Sequence, residues 1–168
     1  MDHQLFFAIN GLAGKSHFLD ALGIFFADKF LYLFGLIILA LWFNQRLRPY
    51  VYLTLGSALI ARAVIVEILK RMINFPRPYE IVANTHQLLA DSERGMSFPS
   101  GHAVIYFSFA FGFWGTEYFW PFFIMATLGS LARVFVGVHF LSDILASFFI
   151  AAIVALFARR LFKNKIPS

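Results

Sequence analysis

The sequence predicts an all-α integral membrane protein, a helical bundle of about five to six transmembrane helices. Three observations carry that expectation. Of 168 residues, 60% are hydrophobic and only 14% are charged, whereas an ordinary soluble domain is about 45–50% apolar and about 25% charged. The apolar residues fall into long runs parted by short polar connections, the pattern of spans. There are 23 Phe, expected mostly as lipid-facing packing. With so little polar surface the chain is not expected to stay soluble as a monomer.

The elements follow in order. An apolar stretch at 4–12 ends near Gly11 and Gly14; it is too short to span and is expected to lie in the interface, within an N-terminal segment of residues 1–17. The start, MDHQLFF, lacks a basic region and no small-residue cleavage site follows, so the mature chain is expected to keep it. Residues 18–43 read as the first span, long enough to tilt or kink, with a break near Asp28 as the alternative. A basic connection carries Arg46 and Arg48 to a second helix at 50–72, which two prolines, Pro76 and Pro78, prevent from continuing. The polar segment 74–99 is expected as an extracytoplasmic loop. Helices at 100–115 and 118–136 are joined by a short turn and so are antiparallel neighbours; a fifth span covers 140–162. No repeat or domain boundary interrupts the chain, which reads as one membrane-embedded domain, 1–168.

Composition also excludes classes of function. Without cysteine there are no disulfides, zinc–thiolate sites or iron–sulfur clusters. The net charge of +5 points to cytoplasmic loops and an anionic membrane surface; no basic stripe interleaved with exposed aromatics suggests a nucleic-acid partner. The Arg46/Arg48 connection and the tail with Arg159, Arg160, Lys163 and Lys165 are separated by an even number of crossings, so they lie on one side. The positive-inside rule makes that side cytoplasmic.

The opposite side then receives three polar groups far apart in sequence. Lys70 ends the second helix and Arg77 follows between prolines. Pro99-Ser100-Gly101-His102 opens the third helix. Arg133, His139 and Asp143 surround the start of the fifth. Three cations gathered at a membrane face repel one another unless an anion sits among them. Arginine binds phosphate oxygens bidentately and lysine acts as a point charge. A helix start with glycine offers free N–H groups and close approach to an anion. His139 and Asp143 are four apart; on a shared helical face the carboxylate would accept from imidazole Nδ1 and leave Nε2 as nucleophile or base. His102, with no carboxylate in its own motif, suits a general acid.

Taken singly, each group has a plainer reading. Lys70 and Arg71 would snorkel, Arg77 would be a loop charge, and Pro-Ser-Gly-His would be a helix-opening turn. His3 and His17 show no partner in sequence, and His86 lies in the polar loop where it can meet a substrate. Arg62 and Glu67, five apart, do not share a face of a regular helix; Glu67 reaches Lys70 or Arg71 at three and four residues, which suggests a supporting role.

Together, Lys70-x6-Arg77-Pro78, Pro99-Ser100-Gly101-His102 and Arg133-x5-His139-x3-Asp143 resemble the type 2 phosphatidic acid phosphatase family. These membrane lipid phosphatases are related to acid phosphatases and vanadium haloperoxidases. The resemblance implies a metal-independent enzyme without cofactor, acting on a phosphorylated lipid in the bilayer. It implies that His139 attacks phosphorus, Asp143 orients it and His102 protonates the leaving group. Lys70, Arg77, Ser100, Gly101 and Arg133 would hold the phosphoryl oxygens. One position departs from the pattern: Ala132 stands where the family has serine, so one hydroxyl is missing. Among lipids, undecaprenyl diphosphate is the first expectation for so compact a chain, with phosphatidylglycerol phosphate, phosphatidic acid and lipid A phosphates as alternatives. A phosphotransferase and a non-enzymatic anion channel or transporter subunit are the competing classes.

Overall fold

The computed structural model describes residues 2–89 and 96–163. Part of the 74–99 segment and the tail beyond, with Lys165, lie outside the described residues. Those described are helical or in turns and contain no strand. We label the helices α1 (Asp2–Asn10), α2 (His17–Leu41), α3 (48–73), α4 (Pro78–Ile81), α5 (Gly101–Gly112), α6 (Phe119–Phe135) and α7 (Leu141–Leu161). The sequence-based bounds hold to within a few residues for every long helix. Three segments, His17–Leu41, Arg48–Ile81 and Leu141–Leu161, are long and apolar enough to cross a membrane; α5 and α6 are shorter apolar helices. The chain is an integral membrane protein.

Two long helices are not regular. α2 widens into a π turn at Phe25–Lys29, and α3 does so at Ala61–Val66. The expected irregularity near Asp28 is therefore a local widening within a continuous helix, not a break. A π turn shifts hydrogen bonding to i→i+5 and leaves backbone groups open to side chains. In α2 those groups are used: Tyr106 donates to the Phe26 carbonyl at 2.9 Å and Arg133 to the Ala27 carbonyl at 3.0 Å.

α5 runs through the middle of the bundle and packs on α3, α6 and α7. Nearly every one of its residues is buried, which is why its apolar run shows no polar face. Gly112 lets α3 approach: a Cβ there would stand 1.8 Å from Thr54 Oγ1 and 2.8 Å from Thr54 Cα. The phenylalanines are not mainly a lipid coat. Ten are buried, among them Phe34, Phe109, Phe113 and Phe122, and they meet edge to face within the bundle. Ring edges on ring faces fill wide interhelical gaps without polar atoms, giving contacts that lipid chains would not supply.

α1 belongs to the packed structure. Phe6 is buried against Phe140, and His3 stacks on Phe140 with centroids 5.6 Å apart. Buried Asn10 donates to the carbonyls of His86 and Phe135, each at 2.8 Å, and accepts from the His86 amide at 3.0 Å. The N-terminal helix thereby ties the loop after α4 to the end of α6.

Candidate active site

α3 ends at Ile73, where Asn74 takes a left-handed conformation (φ 47°), a C-cap that asparagine tolerates. Lys70, in that last turn, donates to the Met96 carbonyl at 2.7 Å. One residue on, the Ser97 amide donates to the Phe75 carbonyl at 2.8 Å. The two arms of the 74–99 segment are thus sewn together beside the end of α3. Arg77 is 2% exposed and donates to the Val138 carbonyl at 3.0 Å. It is no loose loop charge: it fastens the segment after α3 to the residue preceding His139.

Ser100 caps α5, its hydroxyl facing the Ala103 amide at 3.4 Å. Gly101 and His102 are the first two helical residues; Gly101 is buried and His102 partly exposed. The Ser100 carbonyl accepts from Val104 N and from the Ser147 hydroxyl at 2.9 Å, so α7 holds the start of α5 in place.

Arg133 lies in the last turn of α6 and is fully buried, anchored to the π turn of α2. His139 (1% exposed) and Asp143 (0%) follow. Their Nδ1 and Oδ2 atoms are 3.2 Å apart. The contact does not come from two positions on one helical face, because α7 starts only at Leu141. It comes from capping: Asp143 turns back over the helix start and accepts from the Phe140 amide at 2.9 Å, which brings the same oxygen under His139. A carboxylate there also opposes the positive end of the α7 dipole.

Sequence reasoning missed Ser97. Its hydroxyl donates to Asp143 Oδ2 in a very short hydrogen bond and lies 3.3 Å from His139 Nδ1. The signal available was only its nearness to Pro-Ser-Gly-His. The structure therefore brings Lys70, Arg77, Ser100, Gly101, His102, Arg133, His139 and Asp143 to one end of the bundle, as topology demanded. His86 is placed differently: its ring rests against Gly14 and its backbone is held by Asn10. Among the described residues no three His, Asp or Glu side chains converge as a metal-ligating group.

The sequence profile of the PAP2 superfamily matches residues 51–167, across all three motifs. The chain belongs to that superfamily. It is 33% identical to the undecaprenyl-diphosphatase BcrC of Bacillus subtilis over 92% of this chain and 80% of that protein. It is 23% identical to the bacitracin transport permease protein BcrC of Bacillus licheniformis, over 89% and 74%. Among solved structures it superposes on Aquifex aeolicus LpxE with a TM-score of 0.78 and 25% identity, covering 94% of each chain. The fold is also shared with the PAP2-type phosphatidylglycerolphosphate phosphatase of Bacillus subtilis (TM-score 0.68, 22% identity, 99% and 86% covered).

Ala132, where the sequence departs from the motif, packs away from water. Its methyl is buried with Ala27, Val136 and Val138 where α6 meets α2, in a small apolar cluster beside the carbonyls that Arg133 and Arg77 hold.

Proposed function

We propose that the chain removes the terminal phosphate of a lipid diphosphate, undecaprenyl diphosphate first among candidates, through a phosphohistidine. His139 Nε2 attacks the terminal phosphorus and forms an N–P bond. The bridging P–O bond breaks and its electron pair leaves with the lipid phosphate, which His102 protonates. Water then cleaves the N–P bond and releases orthophosphate. Lys70, Arg77, Arg133 and the start of α5 at Ser100 and Gly101 hold the phosphoryl oxygens, so charge in the transition state meets fixed positive groups. No metal or cofactor takes part.

The observation that carries this reading is the His139–Asp143 contact of 3.2 Å. A carboxylate on Nδ1 fixes the tautomer and turns Nε2 outward as the nucleophile. The similarity to a Bacillus undecaprenyl-diphosphatase supports the substrate. Arg46, Arg48, Arg159 and Arg160 gather at the far end of the bundle, which supports an extracytoplasmic site in the bacterial cytoplasmic membrane.

The test is phosphate release by the purified protein in detergent with EDTA. Undecaprenyl diphosphate, phosphatidylglycerol phosphate and phosphatidic acid are compared, with His139→Ala as control. Release that survives EDTA and vanishes in the variant is expected, together with acid-labile phosphate on the wild-type protein. A transport role, as in the name of one relative, predicts instead that His139→Ala keeps function. Because the chain has no cysteine, single cysteines at 46 and 87 report sidedness directly. Only the second is expected to react with an impermeant thiol reagent in intact cells.

A further inference from the structure

The π turn of α3 overturns the sequence reading of Arg62 and Glu67. With i→i+5 bonding the turn is wider, and residues five apart come onto one face. Arg62 donates to Glu67 Oε1 at 2.5 Å across it. The same widening changes how Arg62 relates to Lys70. On a regular helix, at about 100° per residue, the two would point about 80° apart. A turn that absorbs one extra residue brings them within about 20° of one face. The contacts agree: Lys70 reaches the Met96 carbonyl, and Arg62 lies against Gly101. A Cβ on Gly101 would stand 2.6 Å from Arg62 Nε and 3.0 Å from Cδ. Arg62 and Lys70 thus form two rungs on one face of α3, separated by about 12 Å of helix axis, beside the turn that carries His102.

Neither Arg62 nor Glu67 is a core staple. Their side chains are 39% and 42% exposed, inside a segment apolar enough to span, where ionisable residues are costly without a task. We propose that Arg62, parked on Glu67, is the residue that selects diphosphates by gripping the substrate's second, lipid-attached phosphate. The proposal rests on the reading of this site as a phosphohistidine phosphatase. When the bridging P–O bond breaks, the leaving group of a diphosphate is a phosphate, whose oxygens keep negative charge after His102 gives up its proton. A guanidinium beside Gly101 matches that group bidentately. The leaving group of a monoester is a single alkoxide oxygen, which the proton alone neutralises. Glu67 neutralises Arg62 in the empty site and yields it to a more highly charged phosphate.

The experiment compares kcat/KM for farnesyl diphosphate and farnesyl monophosphate on the same preparations of full-length wild type, Arg62→Ala, Arg62→Lys and Glu67→Gln. Arg62→Ala is expected to lower the diphosphate-to-monophosphate ratio at least tenfold, with Arg62→Lys recovering part of it. Glu67→Gln is expected to lower KM for the diphosphate a few-fold. Equal losses on both substrates, or an unchanged ratio, overturn the proposal. Binding of a farnesyl methylenebisphosphonate against a farnesyl phosphonate is measured alongside. If wild type releases phosphate from neither lipid, the phosphatase reading falls by itself. Binding then decides: a bisphosphonate preference at least fivefold weaker in Arg62→Ala supports the assignment, and an equal preference overturns it.

Discussion

The two ends of the bundle use the same residue types to opposite effect. At the site end, buried arginines meet oxygen: Arg77 the Val138 carbonyl and Arg133 the Ala27 carbonyl, with Asp143 under His139. At the far end, arginines meet rings. Arg48 lies 4.7 Å from the Trp42 ring centroid, and Arg159 lies 5.6 Å from that of Tyr50. Trp114 packs on Phe119 at 4.6 Å and Phe113 on Tyr50 at 5.8 Å. Cations over aromatic faces sit where one side is apolar and the other wet, and they anchor a helix end at an interface. Cations held by backbone carbonyls in a dry interior keep their full charge for a ligand. The difference separates the end that gathers the proposed catalytic groups from the end that holds position.

That separation can be broken in graded steps. His139→Ala should lower phosphate release by about a thousandfold or more while the protein still elutes as a folded species. Arg133→Ala crosses the divide: it removes one of the proposed phosphate-holding groups and strands the Ala27 carbonyl of the α2 π turn. We expect activity to fall more than about a hundredfold and stability to drop by about 3 kcal/mol in a denaturant titration. Gly112→Ala should do the reverse at the far end. The new methyl runs into Thr54, at a cost of about 2 kcal/mol, with turnover per folded molecule unchanged within about twofold. Ser97→Ala is the finest probe. Loss of its hydroxyl leaves Asp143 and His139 in place with one hydrogen bond fewer, so kcat should drop about tenfold with little change in melting.

Much of this was legible in the chain. Hydropathy places α2, α3, α5, α6 and α7, because a span must be apolar along its whole length. The antiparallel order then forces Lys70, His102 and His139 to one end. What escaped is what local pattern does not encode. A π turn has no residue signature, so neither the Arg62–Glu67 pair nor the carbonyls given to Arg133 and Tyr106 were visible. Ser97 is one serine among many until the segment after α3 is folded over α7. The phenylalanines look alike whether they face lipid or neighbouring helices, and only the packing of α5 shows that Phe34, Phe109 and Phe122 face inward.

The widened turn at Ala61–Val66 also acts as a phase joint. Below it, the face of α3 that meets α5 is set by Thr54 and Gly112; above it, the face is set by Lys70. The extra residue lets those two faces be aligned independently, as a spacer ring aligns two threaded parts. Removing one residue from the turn would let α3 close into a regular helix with Lys70 still facing the site, but the Arg62–Glu67 pair, which spans the widened turn, would be lost. The length of this stretch therefore carries the Arg62–Glu67 pair rather than the facing of Lys70.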